Sequence, residues 1–201
     1  MARPTRHDAE VERVREHILD AAARAFARGG YRATTMAVIA REAGYTTPTL
    51  YSYFRGKQDI FNALRDSVMA EMEAIFEAHE PAGLSFRQRI ELLLTRQLQL
   101  VDRRRDVFTF FLSIMMSGDG PPAPVKKRGQ YEERLRGWVR QAAADSPDGP
   151  ESPDLVATML HGLGHAFLTE WMTKPDSGLA VELAPLISRL LFHGCCSVEA
   201  P

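Results

Sequence analysis

The sequence predicts an all-α protein of about nine helices, a three-helix N-terminal unit built around a helix-turn-helix followed by a larger helical unit. Three observations predict it. Apolar residues recur at three- and four-residue spacing in one segment after another. Helix start and stop residues flank those segments: Gly44, Thr46 with Pro48, Ser85 with Gln88, and Ser152 with Pro153. No segment carries the alternation of a strand, and no internal repeat is present.

Residues 1–9 hold Arg3 and Arg6 around Pro4 and read as a solvated tail, or as an arm for a DNA minor groove. From about Val11 to Arg28, Val14, Ile18, Ala21, Ala22, Ala25 and Phe26 form a helical stripe that Gly29-Gly30 closes. Met36, Ile39, Ala40 and Ala43 give Thr35–Ala43 one buried face, and Gly44 suits the left-handed residue that ends a helix. Thr46 is the expected N-cap of the next helix, with Pro48 in its first turn and Leu50 and Phe54 on one face. Phe26, Tyr31, Ile39, Leu50 and Phe54 are the expected small core. A long fourth helix runs from Lys57 to about His79 and joins the two halves. A fifth follows the capping box Ser85…Gln88, a sixth spans Asp106–Ser117, and a seventh spans about Val125–Asp145. The eighth spans Pro153–Thr173 and the ninth about Leu179–Cys195.

The 201 residues are 45% hydrophobic, enough for one or two modest cores, and the net charge is −1. The charge is uneven. Residues 1–57 hold ten Arg/Lys against six Asp/Glu, a net +4, and the remaining fifteen against twenty leave −5. A basic head on an acidic body is the asymmetry expected when one end faces nucleic acid. The N-terminus lacks the apolar run of a signal peptide. The longest apolar stretch, Val107–Met116, falls far short of the roughly 18–20 residues of a membrane span, so a cytoplasmic location without membrane association is expected. Arg103–Arg105 and Lys126–Arg128 read as solvated charge at helix starts. Cys195 and Cys196 are adjacent and read as small packing residues in a reducing compartment.

Thr47, Thr49, Tyr51, Ser52 and Tyr53 fall outside the apolar face of the third helix. Hydroxyls donate to phosphate oxygens and Thr methyls meet thymine methyls, so this face suits a DNA major groove; a plain polar face is the alternative. Thr35, Tyr45, Thr46 and Pro48 at the turn, and Lys57 at the next helix start, complete the candidate DNA-binding set.

From Ile18 to Ile60 the chain resembles the DNA-binding segment of the TetR (tetracycline-repressor) family of transcriptional regulators. The matching residues are Ile18-Leu19-Asp20-Ala21-Ala22, Phe26, Gly30-Tyr31, Thr34-Thr35, Ile39-Ala40, Ala43-Gly44, Leu50-Tyr51-Ser52-Tyr53-Phe54 and Lys57. Tyr45 stands where the family usually has a smaller aliphatic and Pro48 where Gly or Ala is common, which leaves the operator sequence open. The resemblance implies a DNA-binding domain over 11–57, with its motif at about 35–54, and an effector-binding and dimerisation domain over 58–201. It implies a repressor, with an activator of the same architecture as the alternative. It also implies double-stranded DNA with a palindromic operator, a homodimer and a small-molecule effector as partners, with no cofactor and no enzymatic activity.

In the larger half, the eighth and ninth helices are apolar on more than one side, which calls for cover from two directions. Leu163, Phe167, Trp171, Ile187, Leu190 and Leu191 are the candidate interface with a second copy. Met72, Phe108, Phe111, Met115 and Trp138, with the polar Gln97, His161 and His165, are the candidate pocket for a small, largely apolar or aromatic effector. His161 and His165 lie four apart and share a helix face, the spacing of a metal pair, but no third ligand is evident. A helical metal-dependent enzyme built on these two histidines is the rival reading.

Overall fold

The computed structural model describes residues 5–118, 120–121, 129–174 and 178–193. Among these residues there are nine α-helices and no strand. They are α1 (Arg6–Gly29), α2 (Met36–Ala43), α3 (Thr47–Tyr53), α4 (Lys57–Glu77), α5 (Phe86–Arg103), α6 (Arg105–Ser117), α7 (Gln130–Ala144), α8 (Pro153–Thr173) and α9 (Ala184–His193). The chain divides into two compact units, Met1–Ala70 with Arg104–Pro122 and Glu71–Arg103 with Ala123–Pro201. Arg3, Lys126–Arg128, Cys195 and Cys196 lie outside the described residues.

In the first unit α1 begins at Arg6, earlier than its apolar stripe implies, because Thr5 and Asp8 form a capping box. The Asp8 amide donates to Thr5 Oγ1 (3.2 Å) and the Thr5 amide donates to Asp8 Oδ2 (2.9 Å). The Thr5 hydroxyl also donates to Asp8 Oδ2 (2.7 Å), and this bond, with the one from the Thr5 amide, holds the Asp8 carboxyl below the usual carboxylate range. Residues 6–9 are therefore helix, not tail. At the other end Gly30 takes φ 73°, and the buried Thr34 hydroxyl donates to the carbonyls of Gly30 (2.8 Å) and Ala25 (3.3 Å), closing the turn into α2.

The core of this unit joins α1, α2, α3 and α4 through Ile18, Phe26, Ile39, Leu50, Phe54, Ile60 and Leu64, all essentially sealed from solvent. Tyr31 is only half-buried and lies at the edge of this core. A sixth-helix contribution is the main departure from expectation. Val107 and Phe110 of α6 are buried in this core, and Phe110 stacks on Phe26 with ring centroids 4.7 Å apart. Periodicity gives α6 an apolar face but does not say which unit will cover it.

In the second unit the capping box of α5 forms as expected: the Ser85 amide donates to Gln88 Oε1 (2.9 Å) and the Gln88 amide to Ser85 Oγ (3.2 Å). Ser152 precedes α8 but makes no side-chain cap. The expected ninth helix is split into a 3₁₀ turn, Ala180–Leu183, and α9. Pro185 has no amide to donate to Val181, which separates the two pieces. Asp102 at the end of α5 pins the 3₁₀ turn, accepting from the amides of Ala180 (2.6 Å) and Val181 (2.9 Å). Glu91 accepts from Ser188 Oγ (2.7 Å) and Arg87 Nε (2.9 Å), tying α5 to α9, and the Ser188 bond is the main reason its carboxyl titrates below the usual range.

Candidate nucleic-acid interface

The α2–α3 pair is built from local rules. Thr35 Oγ1 accepts from the Val38 amide (3.3 Å) and starts α2. Gly44 ends it at φ 71°, ψ 24°, a left-handed conformation that only glycine adopts without strain, and the Tyr45 amide reaches back to the Ala40 carbonyl (2.9 Å). Thr46 Oγ1 then accepts from the Thr49 amide (3.3 Å), and Pro48 occupies the first turn of α3. Leu50 and Phe54 anchor α3 in the core.

What remains outside is the expected face. Thr35, Thr46, Pro48, Tyr51 and Ser52 are exposed, Tyr51 at 55%, while Tyr45, Thr47, Thr49 and Tyr53 are half-buried. Part of the hydroxyl set serves the helix itself. Thr46 and Thr49 share a hydrogen bond at 2.7 Å, and Ser52 Oγ donates to the Thr49 carbonyl (2.6 Å). A hydroxyl still has acceptor capacity when its hydrogen is engaged, so these groups keep part of their capacity for a partner.

Lys57 differs from expectation. Its ammonium donates to the carbonyls of Tyr31 (2.7 Å) and Arg32 (3.1 Å) and stands 4.4 Å from the Tyr31 ring centroid. Burial lowers its pKa and raises that of the Tyr31 phenol. The charge expected to face phosphate directly instead clamps the α1–α2 turn. Lys57→Met is expected to cost about 1.5–3 kcal/mol of stability through loss of charge-assisted hydrogen bonds, and to weaken binding to all duplexes alike. Chemical denaturation and binding to specific and non-specific DNA check both parts.

Sequence reading missed the residues that hold α2 and α3 on α1. Arg15 Nη1 donates to the Tyr53 carbonyl (2.7 Å) with its guanidinium 4.3 Å from the Phe54 centroid. His17 Nε2 donates to the Ala43 carbonyl (3.1 Å). Arg24 Nε reaches Glu42 Oε1 (3.0 Å) with Arg28 on the other oxygen, and these guanidinium hydrogen bonds hold the Glu42 carboxyl low. These long-range pairs leave no periodic signal. Arg41 and Arg55 flank α3, are exposed, and make no ion pair among the described residues; as basic residues bracketing the reading helix they were findable.

The other two residue sets are only partly brought together. Phe108 and Phe111 pack on the core of the first unit, Phe111 lying 5.7 Å from the Phe61 ring, and Met115 is 67% exposed. Gln97, Tyr131 and His161 instead cluster inside the second unit, where Trp138 lines a groove of about 1170 Å³ together with Phe76, whose ring packs against Tyr131. Met72 is half-buried and His165 is exposed. His161 Nε2 lies 3.4 Å from Glu132 Oε1. Of the eight residues, Phe108, Phe111 and Met115 belong to the first unit and Met72, Gln97, Trp138, His161 and His165 to the second. In the interface set, Ile187 is fully buried and Trp171 nearly so, its Nε1 donating to the Gly178 carbonyl (2.9 Å). Both are core of their own unit: Trp171 is tied to the segment before the 3₁₀ turn, and α9, which carries Ile187, packs on α5 and α8. Leu163, Phe167, Leu190 and Leu191 stay half-exposed, and Leu155 and Met159 of α8 are exposed.

Residues 18–64 match the model of the family described as bacterial regulatory proteins, tetR family. The chain is similar to the HTH-type transcriptional regulator AcrR of Shigella flexneri, 34% identical over 52% of this chain and spanning half of that protein's length. It is also similar to the HTH-type transcriptional repressor KstR of Rhodococcus jostii, 28% identical over 87% of this chain and 79% of that protein. Among solved structures, the transcriptional regulator FadR from Bacillus subtilis in complex with stearoyl-CoA has the same fold, with a TM-score of 0.65 at 20% identity over 90% of this chain and 99% of that one.

Proposed function

We propose that this chain, a TetR-family transcriptional regulator by its residues 18–64, is a ligand-responsive repressor that binds a palindromic operator as a homodimer. The observation that carries the reading is the α2–α3 pair: α3 is anchored by Leu50 and Phe54 and presents Pro48, Tyr51 and Ser52 outward beside the exposed Arg41 and Arg55. Such a helix enters a major groove with its side chains on base edges, while hydroxyls and cations take phosphates. Tyr45, Thr47 and Pro48 sit at the tip, where changes shift preference between sequences; changes at Tyr51 weaken all duplexes alike.

One reading helix makes too few contacts for useful specificity. Two copies related by a two-fold axis read half-sites about 34–36 Å apart, or a multiple of that spacing. The uncovered apolar residues Leu155, Met159, Leu163 and Phe167 of α8, with Leu190 and Leu191 of α9, supply the surface for a second copy. Gly162 on α8 leaves open space at its Cβ position, so a partner helix can approach closely. With about four phosphate contacts per subunit, log K falls against log salt with a slope near about −7, measurable by fluorescence anisotropy.

The effector acts through differential affinity. α4 begins at Lys57, the residue that clamps the α1–α2 turn, and continues to Glu77 in the second unit. A ligand that prefers one setting of this helix changes operator affinity by several- to about a hundredfold, a coupling of about 1–3 kcal/mol. No helix among the described residues is long and apolar enough to cross a membrane, and a cytoplasmic site of action fits a duplex DNA partner. Operator binding with and without ligands of the second unit tests the switch; a bound ligand that leaves DNA affinity unchanged contradicts it.

A further inference from the structure

α3 has seven residues, too few to hold themselves as a helix, so its placement depends on what the rest of the first unit grips. Leu50 and Phe54 fix one side of it in the core. Its C-terminal end has no glycine to turn the chain. Phe54 follows in extended backbone (φ −139°, ψ 132°), with its amide on the Leu50 carbonyl (2.9 Å). The Tyr53 carbonyl is one of the last four, which have no partner inside a helix. Arg15 of α1 supplies one, donating from Nη1 at 2.7 Å with its guanidinium 4.3 Å from the Phe54 ring centroid. Among the described residues, this is the one hydrogen bond that reaches α3 from another helix.

The guanidinium is committed to this contact. Glu12 lies 3.9 Å from Arg15 Nε, outside hydrogen-bonding distance, and the Arg15 side chain is two-thirds buried. A cation at the end of a helix also meets the negative pole of the helix dipole. α2 is held differently. Glu42 takes Arg24 and Arg28, and the Ala43 carbonyl takes His17 Nε2. Polar side chains of α1 thus grip α2 at two successive residues and α3 at its last carbonyl alone. Arg15 stands outside residues 18–64, the segment that matches the family model, so its role is read from its own contacts.

We infer that Arg15 is a positioning residue for base reading: holding both the Tyr53 carbonyl and the Phe54 ring, it sets the angle at which α3 presents Pro48, Tyr51 and Ser52. This rests on reading the α2–α3 pair as the DNA-binding element. Contacts to base edges are directional and fail once a side chain is displaced by about 0.5 Å or turned by about 10–20°. Phosphate contacts carry no sequence information and survive a small swing of the helix. Loss of the Arg15 grip therefore removes discrimination between sequences and leaves general affinity for duplex DNA in place.

The test uses the full chain and two duplexes, the sequence that the parent protein enriches from a randomised pool and a scramble of it. Arg15→Met keeps an apolar stem for Phe54 but removes the donor and the charge. In this variant the preference for the enriched duplex is expected to fall at least about tenfold, the worth of one good base contact. Affinity for the scramble, and the slope of log K against log salt on it, are expected to match the parent. Arg15→Lys restores a cationic donor and is expected to recover most of the preference. Where circular dichroism shows Arg15→Met unfolded, Arg15→Gln carries the same expectation. An unchanged preference in a folded variant overturns the proposal. So does equal weakening on both duplexes with a salt slope smaller by about one, the signature of a direct phosphate contact. A parent protein that enriches no sequence brings down the DNA-binding reading and this inference with it, a result distinct from the other two because it needs no variant.

Discussion

Replacing Phe110 with Ala is expected to lower the free energy of unfolding by about 3–5 kcal/mol, the range for removing a large aromatic side chain from a sealed core. Phe110 is fully buried and stacks on Phe26 at 4.7 Å, with Phe61 edge-on at 5.9 Å and Phe111 at 5.4 Å. Truncation leaves a phenyl-sized void with rings on three sides, and those rings cannot close it without giving up their own contacts. The same change removes the main anchor of α6 on α1. Loss of helical signal at lower denaturant, together with loss of DNA binding, is the expected outcome. A loss below about 1 kcal/mol would mean that α6 is peripheral to the first unit.

The second large effect concerns assembly. Leu163→Glu with Phe167→Glu is expected to yield a folded monomer whose operator affinity falls by about 10²–10⁴-fold, the usual gain from linking two binding modules. Both side chains are half-exposed on α8, so the changes place four carboxylates across a two-fold contact without opening a core. Substitution at Trp171 or Ile187, which sequence alone also points to the interface, is expected instead to unfold the second unit, because both are already covered by their own chain. Light scattering and circular dichroism separate the two results. A double variant that remains dimeric would move the interface away from α8.

Much of the fold was legible because its signals are local. Gly44, Thr46 with Pro48, the Ser85–Gln88 box and Pro153 each act within one helical turn, and the starts of α2, α3, α5 and α8 lie within a residue of expectation. The early start of α1 escaped notice because polar first turns carry no apolar stripe and the Thr5–Asp8 box replaces the usual Glu with Asp. What sequence could not supply was pairing at a distance. Periodicity marks Phe108, Phe111, Trp171 and Ile187 as apolar-face residues but not which partner covers each, so sequence alone points two to a pocket and two to an interface. From sequence Lys57 reads as a charge for phosphate, because nothing local shows the carbonyls of Tyr31 and Arg32, 26 and 25 residues earlier, that it holds.

The central claim is that two copies of the α3 tip read duplex DNA together. Selection from a randomised duplex pool with the full chain, followed by footprinting of the enriched sequence, measures this most directly. The expected result is a sharply protected palindrome whose half-sites are spaced by about one helical turn or a multiple, with protection lost when Thr47 and Pro48 are replaced. Enrichment of a single unrepeated half-site, or uniform coating of all duplexes, would contradict the account.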